Sequence, residues 1–411
     1  MRLPEHATYQ NYKDSGVDWI GSLPKEWNVA PLGRLISVRS GDMISSDAET
    51  SKGYPIYGGN GLRGYTTKFN TLGPMILIGR VGAHCGNVHL IQNEVWASEH
   101  AYRVFPKMEI HLGFLAYAIR CVDLNRFAIR TAQPLLNSNI VHSQKIAWPS
   151  IDEQRAIAAF LDEKTAKIDE AVRIKEQQTA LLKERKQILI QTAVTKGLNP
   201  DAQMKDSGID WIGEIPAHWE VRRSKFLFTQ SKEQAQKNDI QLSATQSYGV
   251  IPQEQFEELV GRRVVKISTN LEKRKHVELN DFVISMRSFQ GGLERAYATG
   301  CIRSSYVILR PSSEVNPDFF GLLLKTPRYI KALQITGNFI RDGQDLTFEN
   351  FAEVDLYIPP YEEQAEIALR IKEGCDRIDY AISIKEQQIA AFKEYKTSLI
   401  NAAVTGKIKV V

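Results

Sequence analysis

Two stretches of the chain carry side chains able to make paired hydrogen bonds from loops. Arg80 is followed by His84 and Asn87, and Arg287 by Ser288 and Gln290. A guanidinium fork can hold two acceptors at once, and a carboxamide can pair with one donor and one acceptor. These are the patterns on the exposed edges of guanine and adenine. Glu99 with His100, and Arg303 with Ser304, occupy equivalent later positions with different chemistry. Any one of these side chains could equally satisfy internal hydrogen bonds.

Enzyme signatures are incomplete wherever they begin. Gly59-Asn60-Gly61-Leu62-Arg63-Gly64 fits GxGxxG, but a dinucleotide site needs a helix next and an acid about 20 residues on. Tyr65-Thr66-Thr67-Lys68-Phe69-Asn70 is no amphipathic helix, so the cofactor reading is rejected. A turn with exposed amides, Asn60 and Arg63 suits phosphate or base contact, with a plain surface turn as the alternative. Ile358-Pro359-Pro360-Tyr361 is similar to the Asn/Asp-Pro-Pro-Tyr motif of adenine-N6 methyltransferases. Ile cannot accept the hydrogen bond which that chemistry requires, and the parallel Trp148-Pro149-Ser150-Ile151 lacks it too. These prolines are expected to end a strand and start a helix, with Asp152 or Glu362-Glu363 in the first turn. No GxxxxGK[ST] loop and no carboxylate-carboxylate-Lys constellation stands out. His84-Cys85 with His89 and His100 matches no standard zinc spacing. No catalytic residue, cofactor site or metal site is assigned to this chain.

Self-similarity reveals the elements that must position the loops. Lys13-Asp14-Ser15-Gly16-Val17-Asp18-Trp19-Ile20-Gly21 recurs as Lys205-Asp206-Ser207-Gly208-Ile209-Asp210-Trp211-Ile212-Gly213, and Pro24 and Trp27 recur as Pro216 and Trp219. The offset, Lys13 to Lys205, is 192. Residues 153–195 align without a gap onto 363–405, an offset of 210 from Glu153 to Glu363. Glu153-Gln154 matches Glu363-Gln364, Lys175-Glu176-Gln177-Gln178 matches Lys385-Glu386-Gln387-Gln388, and Ala193-Val194-Thr195 matches Ala403-Val404-Thr405. The stretches between are divergent but share a skeleton. Ile76-Leu77-Ile78-Gly79-Arg80 and Phe282-Val283-Ile284-Ser285-Met286-Arg287 are β-rich runs ending in Arg. Tyr102-Arg103-Val104-Phe105-Pro106 parallels Tyr306-Val307-Ile308-Leu309-Arg310-Pro311.

Residues 152–195 lack Pro and Gly and are rich in strong helix formers. Leu161, Ile168, Leu182 and Leu189 follow a heptad series broken at Lys175, and Ile371, Ile378, Phe392 and Leu399 follow one broken at Lys385. Ile174, Leu181 and Ile188 are expected to widen the first stripe. A heptad stripe of this length asks for a helical partner, and its own copy is the nearest one. The expectation is an antiparallel intramolecular coiled coil about 60 Å long with pseudo-two-fold symmetry. Packing of both helices inside one large domain is the alternative.

Composition is permissive. At 411 residues the chain exceeds one ordinary core. Hydrophobic and charged contents of 43% and 24% are those of a globular protein, and no apolar run could span a bilayer. A cytoplasmic location is expected, since Met1-Arg2-Leu3-Pro4-Glu5-His6 has no signal-peptide core and the four cysteines are scattered. A net charge of +4 permits nucleic-acid binding without arguing for it.

The alternation of repeated frame, divergent insert and repeated helix resembles, over essentially the whole chain, the specificity (S) subunits of Type I restriction-modification systems. The Tyr57–Tyr65 loop resembles one found in one type of target-recognition domain, and Asp281–Gly292 the corresponding signature of another. The resemblance implies an α+β fold with two target-recognition domains separated by two long helices. The expected segments are a frame (1–27), a first target-recognition domain (28–147), a central helical spacer (148–198), a second frame (199–219), a second target-recognition domain (220–357) and a distal spacer (358–411). It further implies a non-catalytic subunit that reads one half of a split double-stranded DNA target with each domain. Its helices would set the gap and bind two methyltransferase subunits, which carry S-adenosylmethionine, and restriction/translocase subunits would complete the complex. Base-reading residues do not transfer between such divergent domains. The candidate DNA contacts are therefore those named above, joined by Tyr248 and Gln344. A scaffold without sequence preference and an orphan methyltransferase are the competing readings.

Overall fold

The computed structural model describes residues 7–130, 132–263, 273–336 and 346–410. The chain forms two compact units. One comprises the chain up to Gln178 together with the segment from Lys385 onward; the other is Thr179–Ile384.

In the first unit, strand Asn28–Pro31 pairs antiparallel with Lys145–Trp148, so the ends of the divergent stretch meet. Between them lies a four-stranded antiparallel sheet in the order Ile36–Ser40, Ala101–Pro106, Met75–Gly79, Val88–Ile91. Helix Leu112–Val122 buries Phe114, Leu115 and Ile119. Its core also contains Ile76, Ile78 and Val104. Ile76 and Ile78 alternate along their strand, while Leu77 between them is buried on the opposite face with Ile91, Val95 and Ala97, so both faces of this strand are covered.

The second unit repeats the plan. Strand Glu220–Arg223 pairs with Asp355–Ile358. The sheet order is Phe228–Ser231, Val307–Pro311, Phe282–Ile284, Glu294–Arg295, also antiparallel. The β-rich runs noted in the sequence therefore take equivalent places in the two sheets. Around them the units diverge: the first adds the hairpin Tyr54–Gly58/Gly61–Thr66, the second the hairpin Leu242–Thr245/Gly249–Pro252 followed by a helix.

Each divergent stretch runs through Pro into a long helix, Ile151–Lys196 of 46 residues and Tyr361–Val404 of 44. Parts of both helices enter each unit, and in each they run antiparallel. In the first unit Lys396 reaches Asp169 at 2.7 Å and Lys393 reaches Glu176 at 3.3 Å. In the second, Lys186 reaches Asp379 at 2.6 Å and Leu189 lies against Gly374. Such exposed ion pairs add little stability; they report the register. The seam of the first helix follows alternating steps of four and three, through Leu161, Thr165, Ile168, Val172, Lys175, Thr179, Leu182, Lys186 and Leu189, all buried or half-buried. Lys175 faces Lys385, and its pKa is lowered by desolvation and then by that like charge. The expected widening by Ile174, Leu181 and Ile188 is corrected: they are 39%, 63% and 57% exposed. Each precedes a seam residue by one, about 100° around the helix, and so turns away from the partner. The second row of the seam is instead largely polar.

The duplicated frame latches onto the helix starts. Trp27 Nε1 donates to Glu153 Oε1 at 3.0 Å, and Trp219 Nε1 to Glu363 Oε1 at 3.1 Å. Gln154 and Gln364 are 1% and 0% exposed. Each donates to the carbonyl five residues back, that of Pro149 or Pro359, and accepts from the backbone N–H of His111 or Asn316. The helix ends return to the same places: Gly406 packs on Pro24 and Trp27, and Gly197 on Pro216 and Trp219.

Candidate nucleic-acid interface

In the first unit the sequence candidates converge on adjoining loops at one end of the sheet. The Gly59-Asn60 turn joins two strands, so the GxGxxG run is a hairpin rather than a strand-to-helix turn. It rests against the end of strand Met75–Gly79. A Cβ on Gly59 would stand 2.1 Å from the Val81 carbonyl oxygen, and one on Gly79 2.0 Å from that of Gly59. Glycine is required at both by close backbone approach. That approach brings Asn87 Nδ2 to Asn60 Oδ1 at 2.9 Å, with both residues exposed. His84 is exposed beside them. The Ala83–Cys85 backbone is held by Asn125 Nδ2, which donates to Ala83 O at 3.0 Å and Cys85 O at 2.8 Å. A lone asparagine 40 residues away gives no sequence signal of this role.

Arg80 and His100 are joined by a backbone hydrogen bond of 2.8 Å. The Arg80 guanidinium lies over the Tyr102 ring, 5.5 Å from its centroid, and donates toward Ser40 Oγ and Glu99 O at 3.3 and 3.4 Å. It is half-buried and partly engaged within the protein. Glu99 and His100 are also half-buried, with Glu99 Oε1 at 3.5 Å from His100 Nδ1. Arg63, on the second strand of the hairpin, is paired with Glu49 at 2.5 Å. His89, behind the hairpin at Tyr57, has its pKa lowered by burial and then by Arg120, which favours the neutral ring.

In the second unit Arg287 and Gln290 are exposed on the short turn after strand Phe282–Ile284. Ser288 turns inward: it is 1% exposed and its Oγ accepts from Ser285 N–H at 2.9 Å. It builds the loop, and its buried hydroxyl is not presented as the DNA contact expected of it. Tyr248, 42% exposed, lies in the neighbouring hairpin turn, tied to this loop by Gln246 Nε2 donating to Arg287 O at 3.3 Å. Arg303 and Ser304 are exposed in the turn before strand Val307–Pro311. The Ile284–Val307 pairing places that turn at the same sheet end as Ser285. Gln344 lies outside the described residues.

Residues 24–183 match the Type I restriction modification DNA specificity domain. The chain is 23% identical over 428 residues to the putative type I restriction enzyme MjaX specificity subunit of Methanocaldococcus jannaschii, covering 95% of this chain and 96% of that protein. Over that length the chain is similar to a Type I restriction-modification specificity subunit. A more similar segment of 152 residues is 37% identical to the EcoprrI specificity subunit of Escherichia coli, spanning 35% of this chain and 38% of that relative. A chain from a structure titled for complex assembly and conformational transition of the type I R-M system has the same fold, with TM-score 0.66, 14% identity and coverage of 93% and 98% of the two chains. The HsdS subunit of Thermoanaerobacter tengcongensis gives 0.51 at 15% identity, covering 94% and 98%. Among the described residues no helix is long and apolar enough to cross a membrane.

Proposed function

We propose that this chain is a Type I specificity subunit that reads a bipartite double-stranded DNA target, one half with each sheet-based domain, and has no catalytic activity of its own. One observation carries the reading. The same antiparallel sheet order occurs twice, and the same sheet end each time presents loops with different hydrogen-bonding side chains. Asn60, Asn87, His84 and His100 with Arg80 and Glu99 serve one half; Arg287, Gln290, Tyr248, Arg303 and Ser304 serve the other. Arg63 acts from the hairpin flank, suited to a phosphate. The paired helices act as the ruler between readers and as the docking surface for two methyltransferase subunits. Those partners hold S-adenosylmethionine, and restriction/translocase subunits join them in the cytoplasm.

The exposed Arg287 gives the sharpest test. Selection of bound duplexes from a random library, by the chain assembled with its methyltransferase partner, should return two conserved blocks separated by a fixed gap. Arg287→Ala should weaken preference within one block by about 1–3 kcal/mol and leave the other intact. Uniform weakening across all sequences would make Arg287 a phosphate contact, and a single block or none would refute the two-reader assignment.

A further inference from the structure

In the second unit, the loops carrying Tyr248 and Arg287 are held by a residue that belongs to neither. Lys325 lies between helices Pro317–Leu323 and Pro327–Ile335. Its Nζ donates to Glu294 Oε2 at 2.6 Å and to Gln246 O at 2.7 Å. Glu294 is 2% exposed. Burial raises its pKa and Lys325 opposes that rise. Gln246 then donates to Arg287 O, and close approach completes the joint: Gly292, at φ +76°, has no room for a Cβ, which would stand 2.2 Å from Leu324 O. The helix leading to Lys325 is capped by Asn316, whose N–H donates to Gln364 of the long helix at 2.8 Å. A continuous set of hydrogen bonds and covalent links thus runs from that helix to the Arg287 loop.

We infer that Lys325 is a positioning residue for the second reader, fixing the Gln246–Tyr248 and Arg287–Gly291 loops as one surface. The inference rests on the assignment of the Arg287 loop to DNA. A base-reading side chain must be held in a narrow range of positions to discriminate, and a loop bond shared with a buried carboxylate supplies that constraint. A lysine with two acceptors inside the protein need touch no base to control which base is read.

The test compares Lys325→Met and Lys325→Arg with Arg287→Ala in the assembled complex, by duplex selection and by hydrogen exchange of the chain without DNA. Lys325→Met should speed exchange across residues 285–292 and flatten preference in the second block by about tenfold, the scale of one base-specific contact. The first block should be unchanged, and Lys325→Arg should restore part of the preference. Faster exchange separates positioning from direct DNA contact, which would leave the free protein unaltered. If Lys325→Met misfolds, Gln246→Ala serves instead, because Gln246 is exposed and its loss leaves the Lys325–Glu294 pair intact. It should produce the same block-specific loss. Unchanged exchange with an unchanged second block overturns the inference. If Arg287→Ala also leaves both blocks intact, the DNA assignment of the loop fails with it.

Discussion

Trp219→Ala should destabilise the second unit by about 3–5 kcal/mol, the scale for emptying a buried aromatic site. Trp219 is 0% exposed, stacks on Tyr357 with centroids 5.4 Å apart, and meets Phe319 edge-on at 6.4 Å. It also satisfies Glu363 through Nε1 and packs beneath Gly197. Truncation therefore removes the joint between frame, helix start and helix end in one step. Trp219→Phe keeps a ring against Tyr357 and loses the hydrogen bond to a charged acceptor, a smaller loss on the order of 2 kcal/mol. Because a two-unit chain need not unfold in one transition, hydrogen exchange resolved along the sequence is the proper measurement. Loss of protection across Thr179–Ile384 with the first unit spared is expected. Equal loss in both units would show that the frame tryptophan is not specific to its own unit.

Insertions into Lys175–Lys186 should separate two outcomes by length. If the helices are the ruler, four residues lengthen the first helix by about 6 Å, equivalent to one or two base pairs at roughly 3.4 Å each. Four residues turn the helix about 40° beyond a full turn, so the four-three seam can continue and both half-targets should persist across a longer gap. The ion pairs at Asp169–Lys396 and Lys186–Asp379 would slip by a turn on one side of the insert, at little cost because they are exposed. Two residues turn the helix about 200° and drive Leu182 and Leu189 out of the seam, so that protein should fold poorly. Methylation mapping reads the gap, and circular dichroism reads the fold. A well-folded four-residue insertion with an unchanged gap would take the ruler role away from these helices.

The duplicated architecture was legible because its signal is dense. Repeated Trp, Glu-Gln and Ala-Val-Thr positions identified the frame, and the heptads located one row of the helix seam. The second row was obscured because Thr165, Thr179 and Lys186 are polar, while the more apolar Ile174, Leu181 and Ile188 face outward. Spacing, rather than hydrophobicity, separates them. The β-rich runs ending in Arg correctly aligned the two sheets, but not what becomes of each arginine. Arg80 folds back over Tyr102, while Arg287 stands three residues beyond its strand and is exposed. The supports of the candidate surface, Asn125, Gln246 and Lys325, act across many residues of intervening chain, so no local pattern marked them. The inward turn of Ser288 depends likewise on the Ser285 backbone rather than on residue type.

The exchange of residues 28–147 for the equivalent domain of a Type I specificity subunit tests the central claim most directly. With the frame strands and helices retained, methylation mapping of cells carrying the hybrid and its methyltransferase partner should show one half of the target replaced, the other half preserved and the gap kept. Replacement of both halves together, or of neither, would contradict the assignment of one reader to each unit.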